Sequence, residues 1–347
     1  MLFQDTRDYQ ILFLSLFLVL GIGTRDWTLH PEFIGVTIAT CLSTQWIFLA
    51  INKWREALQE KSGRVGEAAL WAGSPTCGDC RTVPWERSGE RVCGGEGESI
   101  KNISCVCLYP RPRVLIVPQS SFRSPLITSL GLSLLLRADH WTTMALAAVV
   151  AIASKFVFKI SDKHFFNPAN FGIISALVIT SDAWVSPGQW GEEWWYGLLF
   201  AGTGGMILKR IGRWDTTVAF LGAYAGLEAI RNLWLGWTWD VYWHRLMSGS
   251  LLLFALFMVT DPRSIPNSRI GRVIWAVAIA TLTFILRNYF FLSTAVFWAL
   301  FVLAPFTILL DIVWQAPRFG WEGGDGGGVG EVGTSRGAEG QRRTTSY

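Results

Sequence analysis

Six polar residues stand in apolar surroundings at positions where they could do chemistry: Asn167, Asn170, Ser248, Ser250, Thr260 and Asp261. Asn167 is followed by Pro168. An asparagine oxygen accepts orphan backbone N–H groups at a helix start, and proline is favoured at the next position because its missing donor costs nothing there. The pair predicts a short helix from Pro168 to Ser181. At membrane depth its positive end can hold an anionic group, and Asn170, one turn on, makes a polar pocket. Thr260 and Asp261 precede Pro262, and proline disfavours helix at the residue before it. A helix over 245–260 therefore ends there with its last carbonyls lacking helical partners. Ser248-Gly249-Ser250 opens that same helix, where small side chains permit close backbone approach; the triplet by itself suits plain helix packing.

Other candidates carry less. Glu228 and Arg231 lie three apart and share a helix face, close enough to the interface to extend their charges into it, which suits a structural role. Asp215 and Asp240 read as loop residues. His30, His140, His164 and His244 are spread out with no ligand spacing. Cys77-x-x-Cys80 has the spacing of half a zinc site, but its partners Cys105 and Cys107 are spaced C-x-C, Cys93 stands alone, and the segment holds no histidine. Zinc is not expected. Cys41, in an apolar run, reads as a packing residue. No nucleophile triad, phosphate-binding loop or dinucleotide fingerprint occurs, so no catalytic residue is assigned.

The elements that must position these residues follow from composition. The chain is 51% hydrophobic and 16% charged, with 19 Trp and 22 Phe, and its mean hydropathy is +0.33. Soluble domains are nearer 25% charged, and a net charge of +4 gives no case for nucleic acid. A span needs about 20 helical residues, or roughly 17 at the short end. Ten segments qualify or come near: 9–24, 33–51, 124–137, 139–158, 166–182, 194–208, 216–236, 245–260, 270–288 and 291–313. The first lacks the basic start and small-residue cleavage site of a signal peptide and reads as a retained helix. Loops rich in Lys and Arg (Lys53, Lys155, Lys163, Arg210, Arg263, Arg272) alternate with loops rich in Trp and Tyr, which predicts ten crossings with both termini cytoplasmic. The expected fold is an all-α polytopic membrane protein with short or broken helices.

Residues 1–52 form the first two helices on this reading and 124–316 the membrane core. Residues 53–123 read as a disordered cytoplasmic insertion, lacking helical or strand period over 57–118, or a stretch outside the functional fold. Residues 317–347 are a glycine-rich tail that cannot bury enough apolar area to order itself. Within the core, the stretch from Lys163 overlays that from Arg287, bringing Phe165-Phe166 onto Phe290-Phe291, and the stretch from Ile127 overlays that from Leu246 at nearly the same offset. Five crossings per half make the second half inverted relative to the first, and such folds place their working site near the midplane.

KHFFNPANFG (163–172), the SGS…MVTDP stretch (248–262) and Arg269-x-Gly-Arg272 resemble the membrane flavoprotein family shared by two bacterial ion pumps, the sodium-pumping NADH:quinone oxidoreductase (its B-type subunit) and the Rnf complex (its D-type subunit). The resemblance covers about 124–313. It implies a ten-helix inner-membrane subunit in two inverted five-helix repeats that carries flavin and passes electrons across the membrane, coupled to sodium or proton movement. It implies other subunits of a redox complex as partners, beside membrane lipid. The family's covalent FMN hangs from a Thr in an S-x-A-T-like motif of a long outer loop. The matching loop here, SDAWVSPGQWGEEWW (181–195), is short and has no threonine. Covalent FMN is therefore not expected, and a flavin (riboflavin or FMN) held non-covalently near Asn167, Asn170, Ser248, Ser250, Thr260 and Asp261 is. A non-redox transporter and a purely structural subunit are the alternatives on the same scaffold.

Overall fold

In the computed structural model, residues 5–24, 30–71, 122–160, 163–186 and 194–317 are described. The chain divides into two compact units, residues 1–42 with 123–347, and 43–122. The cysteine-bearing stretch over 72–121 and the tail from 318 lie outside the described residues, and with them the expectations for Cys77, Cys80, Cys93, Cys105 and Cys107.

The described chain is mostly helical: α1 (Thr6–Thr24), α2 (Pro31–Trp71), α3 (Arg123–Leu135), α4 (Trp141–Val157), α5 (Pro168–Ile179), α6 (Trp194–Ile211), α7 (Trp214–Leu235), α8 (Trp239–Leu246), α9 (Gly249–Leu253), α10 (Arg269–Asn288), α11 (Ala295–Leu303) and α12 (Phe306–Val313). A π-turn, Phe254–Met258, continues α9. Two departures from an all-helical fold appear. Strand β1 (Leu136–Ala138) pairs antiparallel with β4 (Ala183–Val185), Arg137 opposite Trp184, and β2 (Lys159–Ile160) pairs with β3 (Lys163–His164). Both ribbons clip together loops that flank short helices, where a few backbone pairs satisfy groups the helices leave open.

The unit containing 43–122 includes the second half of α2, which runs as helix to Trp71. It passes the boundary expected at 52 and the start of the supposedly aperiodic stretch at 57, because a charged sequence without Gly or Pro clusters continues a helix readily. In the other unit, α4 lies against α5, and α10 against α7 and α11. The core between them holds Phe220, Phe254, Trp275, Phe297 and small residues such as Ala147, Ala151 and Ala276. Gly172 is one position where small size is required: a Cβ there would stand 2.7 Å from the Ala147 carbonyl oxygen and 2.8 Å from Ala151 Cβ.

Among the described residues, three helices are long and apolar enough to cross a membrane, Thr6–Gly23, Pro31–Arg55 and Arg269–Asn288. Two bent pairs raise the number to five: α8 with α9 and its π-turn, bent by 50°, and α11 with α12, bent by 49°. The eighth segment thus begins at Trp239, in what reads as an outer loop from sequence. Asp215 and Asp240, expected in loops, belong to the first turns of α7 and α8, where a carboxylate complements the helix dipole.

Candidate functional site at the start of α5

Asn167 is extended (φ −68°, ψ 123°) and caps α5 as its sequence demands, its Oδ1 accepting from the Asn170 N–H at 3.1 Å. The helix ends at Ile179, two residues short of the expected end. Both amides also reach outward. Asn167 Nδ2 donates to the Met258 carbonyl at 3.3 Å, and Asn170 Nδ2 to the Phe297 carbonyl at 3.1 Å. The start of α5 is therefore tied to the π-turn and to α11, elements about ninety and one hundred and thirty residues away. Asn170 is 1% exposed, and its Oδ1 has no hydrogen-bond partner among the described residues. Phe166, beside the cap, stacks on Phe301 at 5.1 Å and meets Phe171 at 5.0 Å.

The π-turn explains why the helix before Asp261-Pro262 needs outside donors. A π-turn shifts the hydrogen-bond register by one residue, and Val259 N–H accordingly reaches the Phe254 carbonyl at 2.9 Å. Neighbouring carbonyls are met by side chains: Ala255 by Thr217 Oγ1 of α7 and Leu256 by Thr260 Oγ1, each at 2.8 Å. Met258 receives the Asn167 amide. Side chains thus partner the carbonyls that the sequence left open.

Asp261 lies 3.8 Å from His164 Nε2, an ion-pair distance rather than a hydrogen bond, and its Oδ1 accepts the Arg263 N–H at 3.2 Å. Burial works to raise the Asp261 pKa. The adjacent His164, the Arg263 N–H and the charge of Lys155 outweigh it and hold the carboxyl below its usual range. Lys155 of α4 is buried and donates to Thr128 Oγ1 at 2.9 Å and Ser124 Oγ at 3.0 Å. Asn167, Asn170, Thr260 and Asp261 are thus brought together at one end of the fold, with His164 beside Asp261. Ser248 and Ser250 are not part of this group. They sit at the α8–α9 break, with their hydroxyls 3.0 Å apart, and α9 and the π-turn separate them from Thr260.

Sequence reasoning missed the wiring of the 261–268 connector. Asp215 accepts from Arg272 Nε at 3.2 Å (Oδ1) and 3.0 Å (Oδ2) and from its Nη2 at 2.6 Å, and Arg272 also holds the Asn267 carbonyl at 2.7 Å. Asp311 accepts from Lys163 and from the Asn267 N–H at 2.7 Å. Arg213 donates to the Pro266 and Asn267 carbonyls, each at 3.2 Å. Burial, followed by the like charge of Arg272, lowers the Arg213 pKa to about 10. The signal for these pairs was an acid and a base in the first turns of two different helices, Asp215 and Arg272.

At the other end of α7, Glu228 and Arg231, read as sharing a helix face near the interface, have different partners. Glu228, 2% exposed, accepts from Arg245 at 3.0 Å, Tyr224 at 3.0 Å and Asn288 at 2.9 Å. Arg231 instead stacks on Trp237, 4.6 Å from the ring centre. Three residues on a helix subtend an angle wide enough for one to face the bundle and the other its rim. Among the described residues, no group of three or more His, Cys, Asp or Glu could hold a metal ion. Cys41 is buried in α2.

Apolar helices with broken spans and a polar cluster at one end define the class: a multi-pass membrane protein. Residues 179–320 match the NQR2, RnfD, RnfE family, so the family resemblance carried by the SGS…TDP and Arg269-x-Gly-Arg272 motifs holds over that stretch; the NPAN motif lies just before it. The chain is 35% identical over 102 residues to the D-type subunit of the ion-translocating oxidoreductase complex of Vibrio vulnificus, covering 28% of each chain. It is 31% identical over 115 residues to the corresponding protein of Stutzerimonas stutzeri, covering 33% of this chain and 32% of that one. Against the same protein of Alcanivorax borkumensis it is 31% identical over 138 residues, covering 38% and 39%. The match thus spans between about a quarter and two-fifths of the length of these relatives.

Proposed function

We propose that the protein is the membrane-embedded subunit of an ion-coupled electron-transfer complex in a bacterial inner membrane. It crosses ten times in two inverted halves, keeps both termini in the cytoplasm, and works beside other redox subunits. The observation that carries the reading is the family match over 179–320, joined to a broken span whose carbonyls are held by Asn167 and Thr217. The packing of α5 on α4, echoed by α11 on α10, supports the two-half arrangement.

We further propose a non-covalently held flavin at the α5 start. The fit rests on two features: the buried Asn170 Oδ1 is an acceptor lacking a donor among the described residues, and Phe166, Phe171 and Phe301 form an aromatic wall beside it. A flavin ring has an imide N–H to offer the acceptor and a flat apolar face for the wall. Asn167, Asn170, Thr260 and Asp261 would hold it, and it would supply one- and two-electron transfer. The polypeptide's own part is to exclude water, fix the polar edge, and place the charges of Asp261 and Lys155 where they bias the electron affinity of the site.

A second reading draws on a different observation. The amide donors of Asn167 and Asn170 are already spent on carbonyls of other helices, which suits a scaffold kept for non-redox transport or for assembly. Flavin content decides between them. The detergent-purified protein is denatured, and fluorescence is read in the gel band and in an acid extract. Flavin in the extract alone supports the redox role. A fluorescent band means covalent attachment, and flavin in neither moves the reading to transporter or scaffold.

A further inference from the structure

A groove of about 510 Å³ opens at the end of the fold opposite Asn167, between α7 and α10. Leu227, Ile230, Leu235 and Phe284 make much of its lining apolar, and Arg231, Trp234, Asn288 and Tyr289 complete it. Trp234 is 87% exposed and Tyr289 73%. Trp237, Trp239 and Trp243, which follow in the chain, are exposed as well, as side chains at a membrane–water interface are. Arg231 is held in place by Trp237, and among the described residues no carboxylate lies within 4.0 Å of it. The charges nearby do not balance. Arg245 is spent on Glu228, Arg287 donates to the neutral Tyr224 hydroxyl at 3.0 Å, and Arg231 adds a further cation. Among the described residues, Glu228 is the one carboxylate in this network.

We propose that this groove binds an anionic phospholipid. Leu227, Ile230 and Phe284 take the acyl chain. The Arg231 guanidinium takes the phosphate with charge-assisted bonds, helped by the Tyr289 hydroxyl and the Trp234 indole N–H, both of which can donate. The surplus positive charge selects phosphatidylglycerol over a zwitterionic headgroup.

The test uses the full chain in a neutral detergent, stripped of lipid, and its unfolding temperature on adding phosphatidylglycerol or phosphatidylcholine. Phosphatidylglycerol raises it more than phosphatidylcholine does, and Arg231→Gln weakens the apparent phosphatidylglycerol affinity about five-fold, as expected for one interfacial cation, while Arg231→Lys keeps most of it. Equal effects of the two lipids, or an Arg231→Gln response like that of the unaltered chain, overturn the proposal. So does an equal shift with soluble glycerol phosphate, which makes the site one for a free anion, or a stoichiometric co-purifying polypeptide that blocks the lipid effect. Should Arg231→Gln fail to fold, photoreactive phosphatidylglycerol on the unaltered protein decides. Labelling within 227–235 and 284–289 upholds the assignment, and labelling elsewhere overturns it.

Discussion

Replacing Asn167 with alanine removes two bonds at once, and they are separable. The cap to the Asn170 N–H is worth about 1 kcal/mol. The bridge to the Met258 carbonyl is an interhelical bond in a membrane protein, about 0.6 and at most roughly 1.7 kcal/mol. The Met258 carbonyl keeps one long contact with the Asp261 N–H, at 3.3 Å, so it is not fully stranded. Asn167→Ala should therefore cost about 1.5 to 2.5 kcal/mol. Asn167→Ser restores a capping hydroxyl but cannot span to Met258, so it should recover about 1 kcal/mol of that loss and no more. Asn167→Asp keeps the cap acceptor but turns an oxygen toward the Met258 carbonyl and adds a charge near Asp261, so it should be less stable than the serine variant. Unfolding in detergent mixed with increasing dodecyl sulfate measures the series. An alanine variant within about 0.5 kcal/mol of the parent, or a serine variant equal to it, would refute the two-bond account.

Gly172→Ala places a methyl group against the Ala147 carbonyl and Ala151. It should destabilise the fold by about 1 to 3 kcal/mol in the same titration, whereas Gly222→Ala, with open space around it, should not. Arg272→Met leaves the buried Asp215 carboxylate without its main partner and should cost about 3 to 5 kcal/mol; adding Asp215→Asn should recover most of this, and a double variant no better than the single one would refute the pairing. Asp261 gives a pH signature. Its folded pKa lies below the ordinary 3.8, so its contribution is fully present above that value and is lost as pH falls through the lower folded one. Asp261→Asn should flatten the stability profile below about pH 4, and a parallel loss in both proteins would sink the assignment.

What the sequence made legible was local. Asn167-Pro168 and Asp261-Pro262 mark helix boundaries through the backbone geometry of neighbouring residues, and both boundaries fall within three residues of where they were read. The missed features were pairings across the chain. Nothing near Asn167 in sequence points to Met258, and nothing near Glu228 points to Arg245, because a spacing rule describes one helix and these bonds join two. The three-residue strands β1 and β4 were hidden because each is too short to show alternation. The added length of α2 and the early start of α8 arose from polar helical residues that an apolar count passes over.

The π-turn has one more consequence, for how this span comes apart. An ordinary helix frays one turn at a time, since each carbonyl depends on an amide four residues along the same chain. Here Ala255 and Met258 depend on donors in α7 and at the start of α5, so the segment cannot open without those helices letting go. Residues 254–258 should exchange their amide protons only together with the start of α5 and the adjoining turn of α7, as one cooperative block, and the weakest-looking stretch of the helix becomes a shared fastening for three.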